Sequence, residues 1–205
     1  MNEVDLKAIE QKAYRESTQD GLTEIFVGIL LVGMGVYFTI KVAFVFIVLF
    51  ALFAPRLLER LKRKHTYPRM GFVKLYEDPP KKTWLGIFSY MLLVIVVMIF
   101  ALFIVFSDFS ADLWYRWTPT FMGAMLTGAW IYMVGKSGDP RYYGIAVFGL
   151  VVGIILSIYR FDSMWTGIKT YLFFMGSCFI GLGTGRFVYF LHRYPLQEES
   201  SNVTG

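Results

Sequence analysis

Two ionisable residues stand inside apolar stretches of this 205-residue chain: Glu24 in "DGLTEIFVGILL" and Arg186 at the end of "GSCFIGLGTGR". A charge in such a setting is costly, and it is kept where it pairs, binds or relays. Several chemistries are open to them. Glu24 and Arg186 can form one ion pair that joins the first and last apolar segments, or each can reach the headgroups separately. With the glycine-rich segment they can form a solute or proton site. Alternatively, Asp20, Glu24, Arg56 and Arg69 can make a cytoplasmic-face centre acting on lipid. Other catalytic arrangements are missing from the sequence. The two histidines, His65 and His192, are far apart, and Cys178 is the only cysteine, so no internal disulfide forms. No His-Glu zinc motif, Walker loop or nucleophile elbow occurs. No catalytic residue, cofactor or metal is expected.

The elements that must position these residues follow from hydropathy. The chain is 56% apolar and 17% charged, against about 25% charged in soluble domains, and its mean hydropathy is +0.54. Residues 84–106 carry no charge over 23 positions, and a bilayer core of ~30 Å needs roughly 20 such residues as helix. The expected fold is an all-α integral membrane protein, a six-transmembrane-helix bundle with spans at about 21–40, 42–58, 84–106, 119–135, 142–159 and 167–190. The spans form a domain over 20–191, preceded by a cytoplasmic segment 1–19 and followed by a disordered cytoplasmic tail 192–205. The first 20 residues are polar, with no apolar core of a secretory signal, so the first span is expected to direct insertion. Residues 3–16 are expected as a short helix with a thin apolar stripe, suited to the membrane surface.

Punctuation supports several boundaries. Asp20 and Ser163 are placed as helix caps. Thr118-Pro119 and Asp139-Pro140 each read as a cap followed by proline in the first turn. A turn is expected near Lys41, because a helix over 22–54 would run to about 50 Å.

Direction comes from charge. With six spans, sixteen of the twenty lysines and arginines fall on the side of the termini, and only Lys41, Arg116, Arg160 and Lys169 on the other. That asymmetry places both termini in the cytoplasm. "RLLERLKRK" at 56–64 is the strongest topology marker, at the start of a basic loop 59–83. Arg56, Arg60, Lys62, Arg63, Lys64 and Arg69 are its candidate lipid-headgroup contacts. Nucleic acid is not an expected partner, since no binding fold surrounds the cluster. The expected partners are the bilayer and its anionic headgroups, with a second copy or a partner membrane protein as further candidates.

Glycines crowd the spans, including Gly28, Gly33, Gly123, Gly128, Gly149 and Gly153. Small residues let helices approach closely. In "GLGTGR" they recur at every second position, which does not trace one helical face, so a locally unwound, site-lining segment is the alternative to packing. "GFVKLY" at 71–76 reads as a short strand or interfacial finger.

"DGLTEIFVGILL" followed by "TYPRMGFV" resembles a group of small multi-pass prokaryotic membrane proteins of uncharacterised function. The resemblance covers the first third of the chain and implies a multi-pass protein of the prokaryotic cytoplasmic membrane. It carries no activity to any residue. The function expected is therefore a non-enzymatic structural, regulatory or accessory membrane component. The alternatives are a small-solute or ion transporter or channel using Glu24, Arg186 and the glycine-rich sixth span, and a cytoplasmic-face lipid-modifying enzyme.

Overall fold

The computed structural model describes residues 9–70 apart from 10, 13 and 17, six positions between 84 and 99, and residues 111–195 apart from 160 and 162. All the secondary structure described is helical. In chain order the helices whose bounds lie among the described residues are α1 (Leu22–Tyr37), α2 (Ala43–His65), α3 (Tyr67–Met70), α4 (Ala111–Ser137), α5 (Arg141–Ile158) and α6 (Met164–Arg193). Two of these, α5 and α6, are long and apolar enough to cross a membrane, and α1 is a shorter apolar helix. Residues 84, 88, 91, 92, 95 and 99 are helical and exposed. The rest of the expected span 84–106, the "GFVKLY" segment, Asp162 and the tail from 196 lie outside the described residues.

Glycine sets the closest helix pair. A Cβ placed on Gly28 of α1 would stand 2.7 Å from the Gly176 carbonyl oxygen of α6, and one on Gly183 would stand 2.7 Å from the Gly21 carbonyl oxygen. The two rungs are seven residues apart on each strand of the pair and run in opposite directions, so α1 and α6 are antiparallel with their backbones in contact. Gly21 also has φ 73°, a left-handed conformation that suits glycine at the entry to α1. A second antiparallel pair follows the same logic. Cβ atoms on Gly123 and Gly153 would meet the Gly149 and Pro119 carbonyl oxygens at 2.8 and 2.7 Å. Thr127 Oγ1 crosses this interface to donate to the Ala146 carbonyl.

The two pairs meet on an aromatic core. Trp130 of α4 stacks on Tyr142 of α5, with ring centroids 5.5 Å apart, and tilts against Phe179 of α6. Tyr171 is fully buried and donates its hydroxyl to the Gly149 carbonyl. On the outside of the bundle α2 leans on α1 through stacked Phe26 and Phe50. Its other faces expose Phe44, Phe46, Leu52 and Phe53.

Several boundaries differ from the sequence expectation. The break at Phe38–Val42 falls where the turn was expected, and Lys41 sits there over the rings of Tyr37 and Trp165. By contrast α2 does not end at 58. It runs through Pro55 to His65, so the first part of the basic loop 59–83 is helix. Likewise α4 starts at 111, and Pro119 is interior to it. The helix continues past this proline because α5 supplies what the backbone needs there. Ser157 Oγ accepts from the Thr120 N–H at 3.2 Å, and Gly153 leaves room for the Pro119 carbonyl. "GLGTGR" is unbroken helix. Gly183 is buried against α1, while Gly181 and Gly185 face open space, so packing at alternate sites needs no unwinding.

Candidate functional site

The buried charges gather at one end of the bundle, where α1 begins, α2 ends, α5 begins and α6 ends. Glu24 is in the first turn of α1 and only 1% exposed. Arg186 Nη1 donates to its Oε1 at 2.5 Å, and Arg141 Nη2 lies 3.9 Å from the same oxygen. Lys62, buried in the last turn of α2, is within Coulombic reach of Glu24. The second carboxylate oxygen, Oε2, is buried without a hydrogen-bond partner among the described residues.

Asp20 lies beside this pair and is fully buried. Its Oδ1 accepts from the Leu22 N–H at 3.1 Å and its Oδ2 from the Thr66 hydroxyl at 2.9 Å. The first contact ties down a donor at the start of α1, which is the role expected of Asp20 although Gly21 occupies the cap position. The second locks the end of α2 to the start of α1.

Arg141 is bound from several sides. Its Nη2 donates to the Thr18 carbonyl at 2.9 Å and to the Tyr142 hydroxyl at 2.7 Å. Its Nε lies 2.9 Å from Asp139 Oδ2 but outside hydrogen-bond alignment. Asp139 in turn accepts from the Arg141 N–H, which starts α5. The N-terminal segment is anchored to this turn. Gln11 donates to the Gly135 carbonyl and Arg15 to the Gly138 carbonyl, where Gly138 takes φ 60°.

Of the residues singled out in the sequence, the structure brings Glu24 and Arg186 into contact. The six basic residues divide. Arg56, Arg60, Arg63 and Lys64 are exposed along α2. Lys62 is buried, and Arg69 donates to the Leu191 and Tyr194 carbonyls at the end of α6, where cations complement the helix dipole. The residues of the proposed lipid-acting set, Asp20, Glu24, Arg56 and Arg69, are engaged separately. Asp20 is held by Leu22 and Thr66, Arg69 by α6 carbonyls, and Arg56 is exposed.

Arg141, Thr18 and Thr66 were not singled out by sequence, and Asp139 only as a helix cap. Arg141 carries one usable signal. A cation in the first turn of a helix opposes the dipole, so it needs an acidic neighbour. Among the described residues no three His, Cys, Asp or Glu side chains gather as a metal site.

A cleft of ≈ 410 Å³ opens beside the cluster, lined by Gln19, Asp139, Arg141, Arg186, Tyr189 and Arg193 among others. Comparison with models of protein families, with curated proteins and with solved structures finds no match to this chain.

Proposed function

We propose that the protein is a six-span membrane protein with both termini in the cytoplasm and a structural or regulatory role in the bilayer. One observation carries the reading: the bundle is apolar outside and charged inside. Away from the basic end of α2, exposed positions on α2 and α5 include Phe44, Phe46, Leu52, Phe53, Val147 and Ile155, while Asp20, Glu24 and Lys62 are buried. A protein surrounded by water exposes its charges instead, whereas intramembrane ionisable groups face the bundle interior and pair with one another. The network of Glu24, Arg186, Arg141, Asp20 and Thr66 joins four helix ends, as a part that fixes the bundle should.

Reporter fusions after Gly205 and near Arg116 test this topology, and they should report opposite sides. The same side for both ends the six-span reading.

One observation favours a second reading, a proton or solute site. Glu24 Oε2 is buried and has no partner among the described residues. In that case Glu24→Gln leaves the fold intact and abolishes a transport signal in proteoliposomes. Under the structural reading Glu24→Gln destabilises the protein.

A further inference from the structure

We infer that the cleft lined by Arg141, Arg186 and Arg193 binds a phosphate group, that of an anionic lipid headgroup. The inference rests on the membrane reading above, which sets the cleft at headgroup level on the cytoplasmic side.

The first argument is charge. Three guanidiniums line the cleft, and two carboxylates contact them. Glu24 takes Arg186 and approaches Arg141, and Asp139 takes Arg141. Arg193 has no carboxylate among the described residues. Its Nη1 donates only to the Tyr189 hydroxyl, at 3.3 Å. Among the described residues one positive charge is left over, and an anion in the cleft neutralises it.

The second argument is preorganisation. Arg141 and Arg186 are largely buried, with side chains 21% and 31% exposed. Their bonds to Thr18, Tyr142, Glu24 and Gln19 hold them in place. Arg141 Nη1 and Arg186 Nε have no acceptor among the described residues, so each keeps a donor to offer. Fixed guanidiniums with spare N–H groups suit the oxygens of a phosphate, which arginine binds through two parallel hydrogen bonds.

The third argument is shape. The volume of ≈ 410 Å³ lies within the roughly 300–1,000 Å³ typical of small-ligand pockets. Phe190 and the ring of Tyr189 supply an apolar wall beside the arginines. A headgroup that carries its glycerol and acyl chains away along α6 fits such a wall, and basic pockets between spans are a known form of headgroup site.

The test uses the full chain in nanodiscs of phosphatidylcholine, with and without phosphatidylglycerol, and reads the melting temperature. Phosphatidylglycerol should raise it. Arg193→Gln removes an exposed cation from the cleft rim and should lose most of that rise, through binding roughly tenfold weaker. Lys12→Gln removes one positive charge from the exposed N-terminal segment outside the cleft and should keep the rise. Inorganic phosphate added to phosphatidylcholine discs separates the sources. A rise with phosphate that Arg193→Gln abolishes would overturn the lipid assignment in favour of a soluble phosphate compound. No rise in either arm, or equal losses in the two variants, would overturn the cleft as a site. A reconstituted protein indifferent to phosphatidylglycerol refutes the cleft alone. Protein that stays monodisperse in buffer without detergent refutes the membrane reading beneath it.

Discussion

Arg186 on α6 donates to Glu24 on α1 across 162 positions of chain, and Arg141 on α5 stands 3.9 Å from the same carboxylate oxygen. Removing one member of a buried pair strands the other, which costs about 3–5 kcal/mol, whereas removing both costs less. Glu24→Gln and Arg186→Gln should each lower the melting temperature in detergent. The double variant should lose less than the sum, with a coupling of roughly 0.5–3 kcal/mol. Strict additivity would show that the contact contributes nothing.

Glycines two positions apart in α6 should respond with opposite signs. A Cβ on Gly183 meets the Gly21 carbonyl oxygen and the Ile25 backbone N, both rigid, at under 3 Å, while one on Gly181 meets nothing. Gly183→Ala should destabilise by about 1–3 kcal/mol through forced separation of α1 and α6. Gly181→Ala should be neutral or stabilise by up to about 1 kcal/mol, because alanine restricts the unfolded chain. Thermal melts of the two variants side by side check this.

Thr66→Val should destabilise the protein by about 1–3 kcal/mol. It leaves Asp20 Oδ2 buried without its donor. Adding Asp20→Asn should recover part of the loss, since a neutral amide tolerates the site better than an unpaired carboxylate. The same melts read both changes, and no recovery would mean that Thr66 acts through packing instead.

The end of α2 carries a pH-dependent contact. Tyr67 donates to Glu59 at 2.9 Å. Burial and the Glu59 carboxylate push the Tyr67 phenol up to about 12. Burial pulls Glu59 upward, but the Arg63 and Tyr67 hydrogen bonds outweigh it and hold the carboxylate below its ordinary value. The Glu59 contribution is therefore present above the ordinary glutamate range and is lost as pH falls through the lowered value. The Tyr67 contribution is complete below about 10 and is lost as pH rises through about 12. Tyr67→Phe should flatten both limbs of the stability profile, and an unchanged profile would rule the contact out.

Lys41 marks the far end of the bundle, over Tyr37 and Trp165 at the α1–α2 turn. Cysteine at this position should react with an impermeant thiol reagent added from outside intact cells. Labelling only from the cytoplasmic side would reverse the topology.

What could be read from the sequence divides along physical lines. Apolar length and charge depth are one-dimensional, so the helices, the Lys41 break and the matched levels of Glu24 and Arg186 follow from counting along the chain. Helix ends are set by three-dimensional compensation. Thr118-Pro119 has the pattern of a cap, yet Ser157 and Gly153 on another helix let α4 run through it. Lys62 and Arg60 are two residues apart in a basic run, and only the packing of α2 against α1 buries one and exposes the other. Thr66 and Thr18 are ordinary polar residues until Asp20 and Arg141 reach them.

The antiparallel contact of α1 with α6 has a consequence for synthesis. Among the described helices, α1 is made well before α6, its backbone partner. At about 5–20 residues per second, Gly28 waits on the order of ten seconds before Gly176 exists. Glu24 meanwhile waits with neither Arg141 nor Arg186 made. The N-terminal anchor of Gln11 and Arg15 is likewise idle until the turn at 135–138 arrives. Chains truncated before α6 therefore present a glycine-lined helix face and a Glu24 carboxylate without its Arg186 donor. Co-expressing α6 as a separate peptide should rescue such truncations from degradation, and a peptide with Gly176→Leu should not.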